Sequence, residues 1–244
     1  MGPLRDFGYR VVLALVLAVP AAAAEDFEAQ RRQLVEAIEQ EVQRTSRYLG
    51  QATLDPAVLE ALRRVARHEF VLPGYRGQAY RNRPLPIGHG QTISQPYIVA
   101  VMTDLLELEP GDRVLEVGTG SGYQAAVLAE MGMEVFTMEI IGPLADRARE
   151  RLGRLGYDSV RVRHADGYPG WPAHAPFDAV VGTAAANHVP PPLLKQLRPE
   201  GRMIIPVGSA FAVQQLILVE KDGQEVRSRQ VLPVRFVPLT RARD

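Results

Sequence analysis

Apolar residues recur at roughly helical spacing over residues 26–48, where Leu34, Ile38, Val42 and Leu49 alternate with charged positions. The pattern predicts an amphipathic helix lying on a surface. A second helix is predicted in "LDPAVLEALRRVARHEF". Asp55 is its N-cap, Pro56 occupies the first helical position, and Val58, Leu59, Leu62 and Val65 form the stripe. The periodicity then stops. Residues 70–94 are rich in Gly, Pro, Arg and Tyr and predict a long loop without a strand signal. A loop of that length is functional or disordered, and Phe70, Tyr75, Tyr80 and Ile87 argue against disorder. Ser94 is placed as the cap of a third helix, with Pro96 in its first turn. Ile98, Val101, Met102, Leu105 and Leu106 give that helix one inward face.

Beyond "EPGD" the period alternates. "RVLEVG", "EVFTME", "SVRVRHA", "FDAVVGT" and "GRMIIPVG" read as strands, and 123–131, 143–154 and 190–197 as helices. "AVQQLILVE" and "EVRSRQVLPVRFVPL" read as two strands around the turn "KDGQ". Alternation of this kind predicts an α/β fold, a mostly parallel sheet with helices on both faces and an antiparallel C-terminal edge.

Composition narrows the classes. The 244 residues are 46% hydrophobic and 23% charged, which suits a soluble globular chain. Formal net charge is zero, so a nucleic-acid partner is not expected. Absence of cysteine excludes disulfides, thiolate metal sites and cysteine nucleophiles. No His/Asp/Glu cluster has metal-ligand spacing, so no metal is expected. The N-terminus differs from the rest: Arg5 and Arg10, then "VVLALVLAV", then "PAAAAED" with Ala22 and Ala24 as A-x-A. Residues 1–24 read as a secretory signal peptide, with no stable membrane association after cleavage. Losing Arg5, Arg10 and Asp6 leaves 26 basic against 27 acidic residues, a net charge of −1. Residues 25–94 then hold the N-terminal helices and a ligand loop, and 95–244 the main α/β domain, the two forming one globular unit.

"VLEVGTGSGYQAAVLAEMG" carries the most chemistry. A strand runs into Gly118, Thr119, Gly120, Ser121 and Gly122 and then into a helix. Glycines there admit positive φ and close approach by a ligand, and the helix N-terminus offers free N–H groups. Gly120-x-Gly122-x-x-Ala125 also fits a dinucleotide fingerprint, so a nicotinamide enzyme is a competitor. Glu116 ahead of the first glycine argues against a pyrophosphate there. Glu139 closes the next strand, where an acid can accept both ribose hydroxyls, and Asp166, followed by Gly167, closes the third. Each acid has a plainer reading, an exposed strand end or, for Asp166, an Asx-turn. Three acids on one rim favour a nucleoside site. Ser121 is flanked directly by Gly120 and Gly122, which is not the spacing of a hydrolase elbow.

The E-x-G-x-G-x-G form resembles motif I of class I S-adenosylmethionine-dependent methyltransferases, whose acid and backbone hold the methionine end. The match then widens. "RPLPIGHGQTISQPYIVAVMTDLLELEPGDRVLEVGTGSGYQAAVLAEMG", "GYDSVRVRHADGYPGWPAHAPFDAVVGTAAA", "VPPPLLKQLRPEGRMIIPVG" and "VRFVPLT" resemble the protein-L-isoaspartate O-methyltransferase family over about residues 55–240. The resemblance implies a Rossmann-like methyltransferase fold, S-adenosyl-L-methionine as co-substrate, and methyl transfer to the free α-carboxyl of L-isoaspartyl residues in damaged peptides and proteins, by a monomer. It implies that Gln91, Thr92, Ile93 and Ser94 lie over the donor and contact substrate. Ser94 matches the active-site serine, His89 takes a secondary place, and Thr183, Ala184 and Ala185 line the pocket. It places Asp166 near the adenine amino group.

The implied chemistry suits such a loop. The acceptor carboxylate, with a pKa of about 3.9, is already ionised at neutral pH and needs no general base. What remains is alignment, worth on the order of 7–11 kcal/mol in favourable cases. Two departures stand out: "LPGYRGQAYRN" is rich in Arg and Tyr, and Asn187 stands where many relatives have proline. The leader also sits awkwardly with a donor made in the cytosol. A NAD-dependent oxidoreductase and a non-catalytic nucleoside binder are the rival expectations.

Overall fold

The computed structural model describes residues 26–209, 212–223 and 225–241. The signal-like stretch 1–24 lies outside the described residues. Helix α1 (Phe27–Leu49) is capped by Asp26, whose carboxylate accepts from the Ala29 N–H at 2.9 Å, and ends at left-handed Gly50. Its buried stripe is Leu34, Val35, Ile38, Val42 and Leu49. Helix α2 (Pro56–Arg64) starts as its sequence predicts, with the Asp55 side chain accepting from the Ala57 N–H at 2.7 Å.

The segment predicted as a plain loop is more regular than its composition suggests. Single 3-10 turns at Arg67–Glu69 and Pro73–Gln78 lead into a hairpin, β1 (Leu85–Gly88) and β2 (Gln91–Ile93), paired Leu85 to Ile93 and Pro86 to Thr92. Pro86, Gly88 and Gly90 hide these strands in the sequence. Here they serve a two-residue turn in which His89 and Gly90 have φ of 53° and 70°.

The expected Ser94 cap is also corrected. Gln95 holds the N-cap position of helix α3 (Pro96–Asp104) and makes no side-chain cap bond. Pro96 has no N–H to satisfy, and the Tyr97 N–H donates to Asn82 Oδ1 at 3.0 Å. The cap comes from a side chain 15 positions upstream, so Ser94 is not needed for it.

The seven-stranded sheet follows: β3 (Arg113–Val117), β4 (Glu134–Glu139), β5 (Arg161–His164), β6 (Phe177–Gly182), β7 (Leu197–Val207), β8 (Gln214–Asp222) and β9 (Glu225–Val234). Strand β7 begins four residues before the predicted "GRMIIPVG". The order is β5-β4-β3-β6-β7-β8-β9. Pairings from β5 across to β7 are parallel, and β8 is antiparallel to both β7 and β9. Helices α4 (Tyr123–Glu130) and α5 (Gly142–Arg154) join α1, α2 and α3 over one face, through Val114, Val135, Val181 and Ile204. The other face, Leu115, Val117, Phe136, Met138 and Ile205, is covered by α6 (Pro191–Gln196), Trp171 and the Pro172–His174 turn. Helices thus flank both faces, unequally. The strand order reverses between β3 and β6, and in open α/β sheets ligands collect at that point, outside the carboxyl ends of the strands.

Candidate active site

A cavity of about 730 Å³ opens at that switch point. Its floor is the turn 118–121, and Gly122 lies just behind it. Gly118 has φ of 108°, and a Cβ there would meet Thr183 Oγ1 at 2.4 Å, so only glycine fits. The Thr183 hydroxyl donates to the Gly118 carbonyl at 2.5 Å and pins the turn against the end of β6. Gly122, at φ 89°, is the left-handed N-cap of α4. A Gly118→Ala variant is expected to lose about 1–3 kcal/mol from backbone strain and to bind nucleoside weakly. Urea unfolding and calorimetry check this; unchanged midpoint and affinity would show that the turn accepts a methyl group.

The two acids expected at the first two strand ends behave differently. Glu116 is fully buried. The Thr137 hydroxyl donates to its Oε2 at 2.5 Å, and Thr119 lies 2.6 Å from Thr137, so a short hydroxyl chain ends on this carboxyl. Oε1 has no hydrogen-bond partner among the described residues, and the residue lines the cavity. Burial pushes its pKa up to about 8; the Thr137 hydrogen bond offsets part of that and the nearby Glu139 adds to it. Glu139 accepts from the Gly120 N–H at 2.8 Å through Oε2 and from the Ile141 N–H at 2.9 Å through Oε1. Each oxygen retains a lone pair for a hydroxyl donor.

Asp166 departs from expectation. It accepts from the Tyr168 N–H at 2.9 Å, the Asx-turn geometry, and from Arg241 Nε at 2.9 Å. The Arg241 guanidinium lies 3.8 Å from the centroid of the Tyr168 ring. Asp166 does not line the cavity, whereas Gly167 does.

Gln91, Thr92, Ile93 and Ser94 form one wall, facing Glu116, Gly118, Thr119, Gly120, Ser121 and Glu139, with Thr183 and Ala184 at the far side. His89 stays on the exposed hairpin turn. Ala185 is a step removed: its N–H donates to Val237 O at 2.8 Å, and its carbonyl accepts from the Leu239 N–H at 2.7 Å. Those two bonds bring in a wall that sequence reasoning missed, residues 237–240. The apolar, proline-containing "FVPLT" after the last strand was the available signal. Buried Gln214 holds its root, accepting from the Phe236 N–H at 2.6 Å and donating to the Phe236 carbonyl at 3.1 Å.

A second cleft of about 860 Å³ adjoins the first, lined by Pro84, Gln95, Ile98, Val213 and residues 233–237. Thr92, Ser94, Thr183 and Val237 line both. Ser94 Oγ has no hydrogen-bond partner among the described residues. The arrangement is thus an acid-rimmed pocket suited to a cationic, hydroxyl-bearing ligand, beside a second cleft. The uncharged side chains of Thr92, Ser94 and Thr183 lie between them. Among the described residues no group of three His, Asp or Glu could hold a metal ion.

A model of the family described as "Protein-L-isoaspartate(D-aspartate) O-methyltransferase (PCMT)" matches residues 39–244. The chain is 61% identical over 236 residues to "Protein-L-isoaspartate O-methyltransferase 2" of Syntrophobacter fumaroxidans, covering 95% of this chain and 96% of the relative. It is 56% identical over 234 residues to "Protein-L-isoaspartate O-methyltransferase 1" of Cupriavidus necator, covering 94% of this chain and 90% of the relative. Among solved structures, one named protein-L-isoaspartate O-methyltransferase superposes with a TM-score of 0.75 at 27% identity, covering 85% of this chain and 65% of that one. A Plasmodium falciparum structure, titled as a putative enzyme of this kind in complex with S-adenosyl-L-homocysteine, shares the fold with a TM-score of 0.71 at 24% identity, covering 87% and 99%. With its mostly parallel sheet and glycine-floored cavity, the chain belongs to the protein-L-isoaspartate(D-aspartate) O-methyltransferase family.

Proposed function

We propose that this protein transfers the methyl group of S-adenosyl-L-methionine to the free α-carboxyl of L-isoaspartyl residues in damaged peptides and proteins. The carrying observation is the shared wall of Thr92, Ser94 and Thr183 between the two adjoining cavities. A donor in the first and a peptide in the second would meet there. The residues present fit the donor. The unpartnered Glu116 Oε1 suits a cationic methionine end, Gly118, Thr119 and Gly120 line the cavity, and Glu139 keeps acceptor capacity for ribose hydroxyls. A dinucleotide's pyrophosphate offers no cation to this buried acid, which disfavours the oxidoreductase reading.

When bound, S-adenosyl-L-methionine supplies a methyl group already activated on a sulfonium. The acceptor carboxylate oxygen forms a bond to that carbon, the carbon–sulfur bond breaks, and sulfur keeps the electron pair. No proton moves, so no general base is needed. The protein's part is alignment: Ser94 and Thr92 orient the carboxylate by hydrogen bonding without a cation that would blunt its attack. The neighbouring main-chain amide nitrogen of the substrate can then attack the ester carbonyl and expel methanol, closing a succinimide whose hydrolysis returns part of the chain to the normal linkage.

Incubation with methyl-labelled S-adenosyl-L-methionine and paired peptides tests this. Base-labile label on the isoaspartyl peptide and not on its aspartyl twin is the expected result. Donor binding without transfer would make the protein a nucleoside binder, and label on both peptides would overturn the substrate assignment.

The same reading includes a monomer that does not engage nucleic acid, with residues 25–94 and 95–244 as one globular unit. In support, the stripes of α1 and α2 share one continuous core with α3, α4 and α5. Among the described residues no helix is long and apolar enough to cross a membrane. Residues 1–24 are proposed as a cleaved leader. N-terminal sequencing of protein made in a secreting host is expected to begin at Glu25, and a retained Met1 would refute cleavage.

A further inference from the structure

Arg67 is fully buried and makes no ion pair with any described carboxylate. It follows α2 directly, in the 3-10 turn Arg67–Glu69. Its guanidinium is spent on main-chain carbonyls of the segment leading to the shared wall. Nε donates to Ala79 O at 2.9 Å, and Nη2 donates to Ser94 O at 2.8 Å and lies 3.5 Å from Arg83 O. On its other side it lies 4.7 Å from the ring centroid of Tyr123, the first residue of α4, which lines the donor cavity. One desolvated cation thus touches both halves of the site. A buried charge without a counter-ion is costly, and packing alone would be served better by an apolar side chain.

The geometry at Ser94 gives that charge a task. The Ser94–Gln95 peptide is trans, so its C=O and N–H point in opposite directions. With the carbonyl drawn inward to Arg67, the Gln95 N–H turns outward. It has no partner among the described residues, and Ser94 and Gln95 both line the acceptor cleft. Resting on the proposed methyl transfer, we infer that Arg67 is a positioning residue: it fixes this peptide plane so that the Ser94 hydroxyl and the Gln95 N–H form a paired donor for the isoaspartyl carboxylate. It touches neither substrate. Tyr123, stacked on the same guanidinium, sets how far this donor pair stands from the glycine turn.

The test separates positioning from mere support. In Arg67→Met, kcat for an isoaspartyl peptide is expected to fall on the order of 100-fold, as for a displaced reacting group, while affinity for S-adenosyl-L-homocysteine is unchanged. Arg67→Lys, which keeps the charge and one donor, is expected to recover part of that loss. Folded Arg67→Met with wild-type kcat overturns the inference, as does a loss that falls on donor affinity alone. Should Arg67→Met fail to fold, the wild-type protein labelled with ¹⁵N-glutamine still decides. The Gln95 amide resonance is expected to shift when isoaspartyl peptide joins the S-adenosyl-L-homocysteine complex and not when the aspartyl peptide does. No shift overturns the inference. Absence of any transfer by the wild-type enzyme would instead sink the methyltransferase reading, so the two failures are distinct.

Discussion

Glu116→Gln is expected to weaken S-adenosyl-L-methionine binding about 10- to 100-fold, the worth of one charge-assisted hydrogen bond. It is also expected to stabilise the ligand-free protein at and above neutral pH. Both effects come from one buried carboxyl with an unpartnered oxygen and a pKa pushed up to about 8. The folded value lies above the unfolded value of 4.5. Its contribution to stability is therefore complete below about pH 4.5 and is lost as pH rises through about 8. Glutamine does not titrate, so the melting-temperature gap between variant and wild type should open across that window and then level off. A bound cation reverses the preference and favours the carboxylate, so donor binding below pH 8 should release a proton. Calorimetry in buffers of different ionisation enthalpy reads that proton directly, and it should vanish in the variant. Equal donor affinity in both proteins would remove Glu116 from the site.

Ser94→Ala is expected to lower kcat by on the order of 100- to 1,000-fold, as does removal of a single donor from a reacting oxygen. Stability should stay within about 0.5 kcal/mol, because the Ser94 hydroxyl holds no bond among the described residues and helix α3 is capped from Asn82. Donor affinity should not change, since Ser94 faces the donor pocket from the acceptor side. This combination is diagnostic. A serine acting as a helix cap would lose stability and keep turnover. Retention of most of the wild-type turnover in Ser94→Ala would transfer the orienting role to Thr92 or to the main chain.

The sheet was legible because strand and helix periods alternate cleanly from Arg113 onward, and every strand but the last ends in a glycine, an acid or a polar turn; the last was read on to Leu239, where the structure ends it at Val234. Glu116, Glu139 and the glycine turn were legible for the same reason, since position along a parallel strand fixes which rim a residue reaches. Asp166 obeyed that rule only in its backbone. Its side chain turned to Arg241, 75 residues away, and no local pattern encodes such a partner. The hairpin from Leu85 to Ile93 was masked by proline and glycine, which count as breakers until a tight turn is known to use them. The Asn82 cap and the reach of Arg67 to Ser94 were hidden likewise. Both are single side chains acting across 15 and 27 positions, below the resolution of any periodic signal. A basic residue ending a helical run looks like an exposed cation, and only folding shows it wrapped in carbonyls.

The stretch that follows the last strand has a practical bearing on how the protein should be handled. Residues 237–240 are a wall of the nucleoside chamber, and Arg241, three positions from the carboxyl terminus, fastens that wall to Asp166. An epitope inserted within residues 237–241, or a truncation that removes them, would therefore breach the ligand's chamber. Kinetic work is better served by leaving that end native and placing any appendage ahead of Asp26, where the chain enters α1.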